Sequence, residues 1–321
     1  MSGTLLGWSV PVVRRHPVIP RLRARAARRS LAVGAALIVA GAVTACGREP
    51  VATRDTATDD FGDTVAVVRA PQRIVSLNPA VTELLYAIGA GARLVGRTSY
   101  DRLPAEVTRV PDLGPGLRPN VEAVLSARPD LVILYASQDN RDAARRLRAA
   151  HVATVSYKVD RIADFARVTE VLGRLTGDTA AARITIDTVG RTLARTLART
   201  VALPPPRVFW FLWESPLLAV GGGSFLNEML KVAGARNVYD SLPGPSPAVS
   251  FEDLLRRDPD VVLASAATRA KMLADPKWRT LRAVREGRVL VFDSTIVNGP
   301  SARLGSSAES LARLLHPDAF R

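Results

Sequence analysis

The sequence predicts an α/β protein of two similar lobes, each with a central, mostly parallel sheet, joined by one long rigid α-helix with a cleft between the lobes. Three observations carry this. A segment occurs twice, 130 positions apart: Asn120-Val121-Glu122 through Leu125, Pro129-Asp130 and Leu131-Val132-Ile133, then Ser250-Phe251-Glu252 through Leu255, Pro259-Asp260 and Val261-Val262-Leu263. Self-similarity at this spacing means two lobes rather than a solenoid. Apolar strand-like runs alternate with helical patterns on both sides of the midpoint. Between them lies a stretch without proline, from Asp178 to about Ala202, long enough for a helix of roughly 35–40 Å.

The elements follow in order. Arg73-Ile74-Val75-Ser76-Leu77 is a short β-branched run, read as a buried strand and broken by Asn78-Pro79. Residues 81–88 have helical spacing, stopped by Gly89 and Gly91. Leu94-Val95-Gly96 is a second strand, and a loop rich in Pro and Gly runs from Pro104 to Pro119. Asn120 and Ser250 are good N-caps for short helices, which Pro129 and Pro259 end. Strands follow at 131–134 and 261–264. An arginine-rich helix spans 139–150, a strand 153–155 and a helix 162–175, ending at Gly177. Past the long helix, 207–213 is a strand apolar nearly throughout. Gly221-Gly222-Gly223-Ser224 precedes a helix at 225–232, and a strand at 289–292 and a helix at 306–315 close the chain. The resulting domains are an N-terminal lobe at 70–177, the backbone helix at 178–203 and a C-terminal lobe at 204–321.

The first 69 residues read differently. The whole chain of 321 residues has 44 basic and 30 acidic residues, a net charge of +14. Seven of the arginines (Arg14, Arg15, Arg21, Arg23, Arg25, Arg28, Arg29) fall before residue 47 with no acid among them, which leaves +7 spread over the remainder. No basic run is interleaved with aromatics, so nucleic-acid binding is not indicated. An apolar stretch of about 13 residues from Leu31 is too short to span a bilayer, where ~20 are needed. It leads into Val43-Thr44-Ala45-Cys46-Gly47, which resembles a lipobox. That resemblance implies that residues 1–46 are an export signal ending at Cys46, and that Cys46 is the lipid-bearing first residue of the mature protein. Arg28-Arg29 leaves general and twin-arginine export both open. Cys46 is the single cysteine, so no intrachain disulfide forms. The segment 47–69 reads as a flexible tether, polar and without period until Thr64-Val65-Ala66-Val67-Val68.

Arg73-Ile74-Val75-Ser76-Leu77-Asn78-Pro79, Thr82-Glu83-Leu84, the two Glu-x-x-Leu-x-x-x-Pro-Asp segments, the long helix and the lipobox together resemble the helical-backbone (class III) substrate-binding lipoproteins of ABC importers, over about residues 70–315. The resemblance implies an extracytoplasmic carrier, lipid-anchored and monomeric, without catalytic activity or cofactor. It would capture a metal chelate, with cobalamin or another corrinoid first, and deliver it to a permease and its ATPase. A ferric siderophore or haem is the alternative cargo. One glutamate per lobe docks to the permease in this family, which maps onto Glu122 and Glu252. Two exposed carboxylates suit electrostatic steering and register, although each also fits simply as a first-turn helix residue favoured by the dipole.

Loops at strand ends supply the candidate ligand contacts: Asn78, Tyr100, Tyr135, Trp213, Glu214, Ser246 and Arg303. Aromatic faces bury wide apolar area at low entropic cost, and Arg303 suits an anionic group. Ordinary packing accounts for aromatics too. The sequence departs from the family by placing Gly114-Pro115-Gly116 before Glu122, and Ser246 before Glu252, where aromatics are expected. A bare metal ion is not an expected ligand, since past Cys46 only His151 and His316 remain and no cluster has ligand spacing. Two other classes compete: a tethered ligand sensor and an exported enzyme. Gly222-Gly223-Ser224 lacks the last glycine of Gly-x-Ser-x-Gly, its place taken by Leu226, and also lacks the Gly-Lys-Ser/Thr of a phosphate loop.

Overall fold

The computed structural model describes residues 55–67, 69–292, 295–296 and 299–321. Cys46, the export signal and the first part of the tether lie outside the described residues.

The N-lobe sheet contains β3 (Ile74–Leu77), β4 (Leu94–Gly96), β5 (Leu131–Tyr135) and β6 (Ala153–Tyr157), in the order β4-β3-β5-β6 and all parallel. In the C-lobe, β7 (Arg207–Trp213), β9 (Arg236–Asn237), β10 (Val261–Ala264) and β11 (Val289–Val291) run parallel in the order β9-β7-β10-β11. The two lobes thus share one topology. The short β8 (Leu218–Ala219) adds an antiparallel partner to β7.

These strands read as continuous apolar runs because they are buried on both faces. Ile74, Leu131, Ile133, Val208, Trp210, Val261 and Leu263 alternate into one cluster that runs through both lobes. Their neighbours Val75, Leu77, Val132 and Leu134 face a second cluster, and Phe209, Val262 and Ala264 a third.

The shared cluster is organised around α5 (Thr179–Thr200), the predicted backbone helix, whose 22 residues span about 33 Å. It packs against α4 (Ile162–Thr176) from the N-lobe and α10 (Leu304–Leu315) from the C-lobe. The approach of α10 is close: a Cβ at Gly305 would lie 3.0 Å from Thr192 Cβ. A helix gripped on two sides by packed helices is a stiff connector.

The repeated segment shows why it is repeated. The Asp130 carboxylate accepts the backbone N–H groups of Gln72 (2.8 Å) and Arg73 (2.9 Å) at the entry to β3. Asp260 accepts that of Arg207 (2.9 Å) at the entry to β7. The arginines answer symmetrically: Arg73 donates to the carbonyls of Ala127 and Arg128, and Arg207 to those of Arg257 and Asp258. Arg128 and Asp258, each preceding the proline, both turn through the left-handed region (φ 49° and 39°).

The tether reading requires correction from residue 55 onward. Asp55–Thr58 forms β1, paired antiparallel with β2 (Thr64–Val67). Acidic side chains fasten the hairpin. Asp59 is buried, accepts from the backbone N–H of Phe61, Asp63 and Ser156, and meets Arg148; Arg167 holds Asp60. Asp59, Asp60 and Asp63, which read as solvated linker, are the partners of arginines 85 to 107 positions away, while Thr58 and Thr64 bond each other across the hairpin. Sequence reasoning also leaves 265–288 unassigned. There Ser265 caps α8 (Ala266–Ala274), accepting from Thr268 N, and α9 (Arg282–Arg285) follows.

Candidate functional site

In parallel α/β sheets the functional crevice lies beyond the carboxyl ends of the strands. Here those ends meet between the lobes. α1 (Pro79–Ala87) starts directly after β3, and its Glu83 accepts from Ser301 Oγ (2.7 Å) and Arg303 Nε (2.9 Å) of the C-lobe. Beyond β6, the Asp160 carbonyl accepts from Phe225 N (3.1 Å), the first residue of α6 (Phe225–Val232). Next to it Glu228 of α6 accepts from Ile162 N (2.7 Å) and Arg161 Nε (2.6 Å). A small crevice lined by Pro79, Glu83, Tyr100, Asp101 and Thr295 joins residues of both lobes. These contacts join the two lobes near the carboxyl ends of the strands.

Two of the expected ligand contacts present broad aromatic surface. Tyr100 is 54% exposed and Trp213 is 62% exposed. Tyr100 sits on a tight loop after β4, held because Asp101 accepts both Thr98 N (2.6 Å) and Thr98 Oγ1 (2.7 Å). Burial pushes the Asp101 carboxyl up, and the Thr98 bonds oppose that. Trp213 ends β7, and its indole N–H donates to Ser215 O (3.1 Å), which fixes the ring on the reversal into β8. Glu214 and Ser246 are exposed in neighbouring loops.

The other expected contacts are committed to the protein. Asn78 is 2% exposed, and its amide donates to Tyr157 O (3.1 Å), tying the end of β3 to β6. Tyr135 ends β5 but its hydroxyl donates to Asp160 (3.0 Å). Burial, then the Asp160 charge, pushes this phenol well up, so it stays a donor. Arg303 is the interlobe bridge to Glu83 just described. Glu83, Asp160, Arg161 and Glu228 escaped sequence reasoning because their partners lie up to 220 positions away and no local pattern marks them.

Gly114-Pro115-Gly116 has a backbone reason. Gly116 has φ +84°, and a Cβ there would lie 2.8 Å from Leu77 O, so the backbone presses against the end of β3 and leaves no room for a side chain at this position; Gly114 has open space around it but a φ of +101°, which favours glycine.

Glu122 and Glu252 occupy the same position, the second residue of α2 (Val121–Ser126) and of α7 (Phe251–Arg257). Asn120 and Ser250 cap the two helices alike, accepting from Ala123 N (3.2 Å) and Asp253 N (3.0 Å). Both glutamates are exposed. Glu122 has an exposed ion pair with Arg146 (3.3 Å). The Glu252 carboxyl is held below its usual range by a bond from its own N–H and one from Ser250. Among the described residues no group of three or more His, Cys, Asp or Glu side chains is placed to hold a metal ion, and no helix is long and apolar enough to cross a membrane.

Residues 74–295, which span both sheets and the helix between them, match the periplasmic binding protein family. The chain belongs to that family. It is 28% identical over 280 residues to the ABC transporter substrate-binding lipoprotein YvrC of Bacillus subtilis, covering 85% of this chain and 87% of YvrC. It is 23% identical over 248 residues to a vitamin B12-binding protein of Photorhabdus laumondii, covering 77% and 89%. A periplasmic haem-binding protein from Pseudomonas aeruginosa superposes with a TM-score of 0.71 at 26% identity, covering 77% of this chain and 94% of that one. These neighbours are two-lobed class III binding proteins, and the expected fold class stands. The family is one of solute-binding proteins that work with a permease and an ATPase.

Proposed function

We propose that this protein is the lipid-anchored, extracytoplasmic binding component of an ABC importer, that its cargo is a corrinoid, and that it docks through Glu122 and Glu252. The observation that carries the cargo reading is the pair Tyr100 and Trp213. They are large aromatics, more than half exposed, at the strand ends of opposite lobes. Solvent-exposed aromatics at a cleft suit a broad, flat, largely apolar ligand. The vitamin B12-binding relative supports the same reading, while the haem-binding neighbour keeps haem as the second candidate. Anchoring through Cys46 is supported by the lipobox-like residues 43–47 and by the likeness to a lipoprotein.

The experiment is a titration of the chain lacking residues 1–46 with cobalamin, cobinamide, haem and ferric siderophores, read by calorimetry and tryptophan fluorescence. Saturable binding of a corrinoid with quenching of Trp213 is the expected outcome. Tighter binding of haem or a siderophore reassigns the cargo within the same function, and binding of none of the four overturns the chelate reading. Incorporation of a labelled fatty acid into the full chain, lost in Cys46→Ser, tests the anchor.

A further inference from the structure

A cavity of about 410 Å³ lies away from the cleft, at the opposite edge of the C-lobe sheet. Three arginines line it, Arg207, Arg236 and Arg257, together with Asp240 and Ser241. Arg207 and Arg236 are the first residues of β7 and β9 and stand side by side in register. The cavity is therefore at the amino ends of the strands, whereas Trp213 is at the carboxyl end of β7.

Two of the three guanidinium groups are fixed in place by the protein. Arg207 donates through Nη1 and Nη2 to the carbonyls of Asp258 and Arg257. Arg257 donates through Nε to Asp253 (2.7 Å) and through Nη1 to Val238 O (2.5 Å), and lies over the Tyr239 ring (4.5 Å). Nε of Arg207 and Nη2 of Arg257 are not used in these bonds. Asp240, the one carboxylate in the lining, is met by Lys231 (3.0 Å) and by Asn227 Nδ2 (2.6 Å). Arg236 is exposed, and its guanidinium makes no hydrogen bond or ion pair with any described residue; it acts on Asp240 only through its charge, which helps the Lys231 and Asn227 bonds hold that carboxyl below its usual range.

The duplicated topology supplies the comparison. Arg73 at the entry to β3 matches Arg207 at the entry to β7, down to the carbonyls each one bonds. Arg93 directly precedes β4, as Arg236 opens β9. In the N-lobe that second arginine is satisfied: it donates to Thr176 O (2.7 Å) and pairs with the Asp178 carboxylate (3.2 Å), where α4 gives way to α5. In the C-lobe its counterpart faces a cavity.

We infer that this cavity is a second binding site, for a small polyanion bearing phosphate or carboxylate groups, which supplies from outside the oxyanion that Asp178 supplies within the N-lobe. Guanidinium forks match the paired oxygens of phosphate and carboxylate. Two arginines already fixed by backbone carbonyls lose little freedom on binding. The site lies at the other end of the β7 strand from the cleft, so its occupant does not compete with cargo.

The test titrates the full-length chain with inorganic phosphate and with citrate, against sodium chloride at matched ionic strength, by calorimetry and thermal melting. The expected result is saturable one-to-one binding of either polyanion with a rise in Tm. Arg236→Ala should weaken it about tenfold or more, as loss of a charge-assisted contact does. Arg236→Lys should be intermediate, because it keeps the charge but loses the fork. Arg93→Ala should leave anion affinity unchanged. Because Arg236 is exposed and its guanidinium makes no hydrogen bond or ion pair with a described residue, its alanine variant should melt like the parent without anion. No saturable signal beyond chloride, or Arg236→Ala binding as tightly as the parent, overturns the inference.

Discussion

Truncating Trp213 to alanine should weaken cargo binding by about thirtyfold while leaving the fold intact. A buried tryptophan contributes up to about 250 Å², and this one is 62% exposed, which leaves roughly 150 Å² to cover. A flat ligand stacks on one face, so about half of that area, roughly 75 Å², leaves water on binding. At about 25 cal/mol per Å² this amounts to about 2 kcal/mol, a factor of about thirty in Kd. The same reasoning for Tyr100, smaller and 54% exposed, gives about 1.4 kcal/mol, or about tenfold. The two rings stand on different lobes and share no partner within the protein, so the effects should add to about 300-fold in the double variant. Calorimetry with the cargo found in the titration measures Kd, and thermal melting of the unliganded variants controls for folding. Exposed substitutions of this kind change stability by about 0.5 kcal/mol or less. A Kd for Trp213→Ala within twofold of the parent, with melting unchanged, would refute the placement of this ring against the cargo.

Three further outcomes are expected. Asp59→Ala removes the buried acceptor of three backbone N–H groups and the partner of Arg148. It should cost roughly 3–5 kcal/mol and lower Tm by about 10 °C; a shift of under about 2 °C would mean that the hairpin is not fastened this way. The bond from Arg257 to Asp253 holds that carboxyl below its usual range. The unfolded chain then takes up the proton first as pH falls, so this contribution is complete above about pH 4 and fades below it. Asp253→Asn should flatten the acid limb of stability measured by urea unfolding between pH 7 and pH 3, and an unchanged limb counts against the pair. Finally, Glu122→Lys with Glu252→Lys should cut cargo uptake by roughly thirtyfold or more with calorimetric Kd unchanged, whereas a matching loss of affinity would remove them from docking.

The framework was legible because its causes are local. β-Branched runs buried on both faces gave the strands, prolines and glycines gave the ends, and the absence of proline between Asp178 and Ala202 marked α5. That Tyr100 and Trp213 stand at strand ends was legible too, since each follows a readable strand. What stayed hidden depends on distant partners. The 47–69 stretch is polar, and nothing near Asp59 announces that Arg148 neutralises it inside the fold. Tyr135 looks like a ligand contact until Asp160 takes its hydroxyl, and Arg303 looks like an anion receptor until Glu83 meets it. In each case side-chain chemistry was readable, but whether that chemistry was already used was set by contacts tens to hundreds of residues apart.

The repeated segment now divides into two kinds of residue. Its aspartates, prolines and apolar positions are accounted for by the fold: Asp130 and Asp260 gather the backbone at the strand entries, and the apolar residues fill the two faces of each sheet. Asn120 and Ser250 are accounted for as caps. The glutamates are different. Each stands at the second helical position, exposed, and among the described residues the Glu122 carboxylate pairs only with an exposed arginine, an interaction of about 1 kcal/mol at most. A favourable helix dipole accepts Asp or Glu anywhere in the first turn, so it does not require the same residue at the same position twice. Placing one carboxylate identically on each lobe, with a stiff 22-residue helix fixing the distance between them, makes a two-point gauge. A rigid gauge is useful to a partner that reads both lobes at once, and this is the physical content of the proposal that Glu122 and Glu252 dock to the permease.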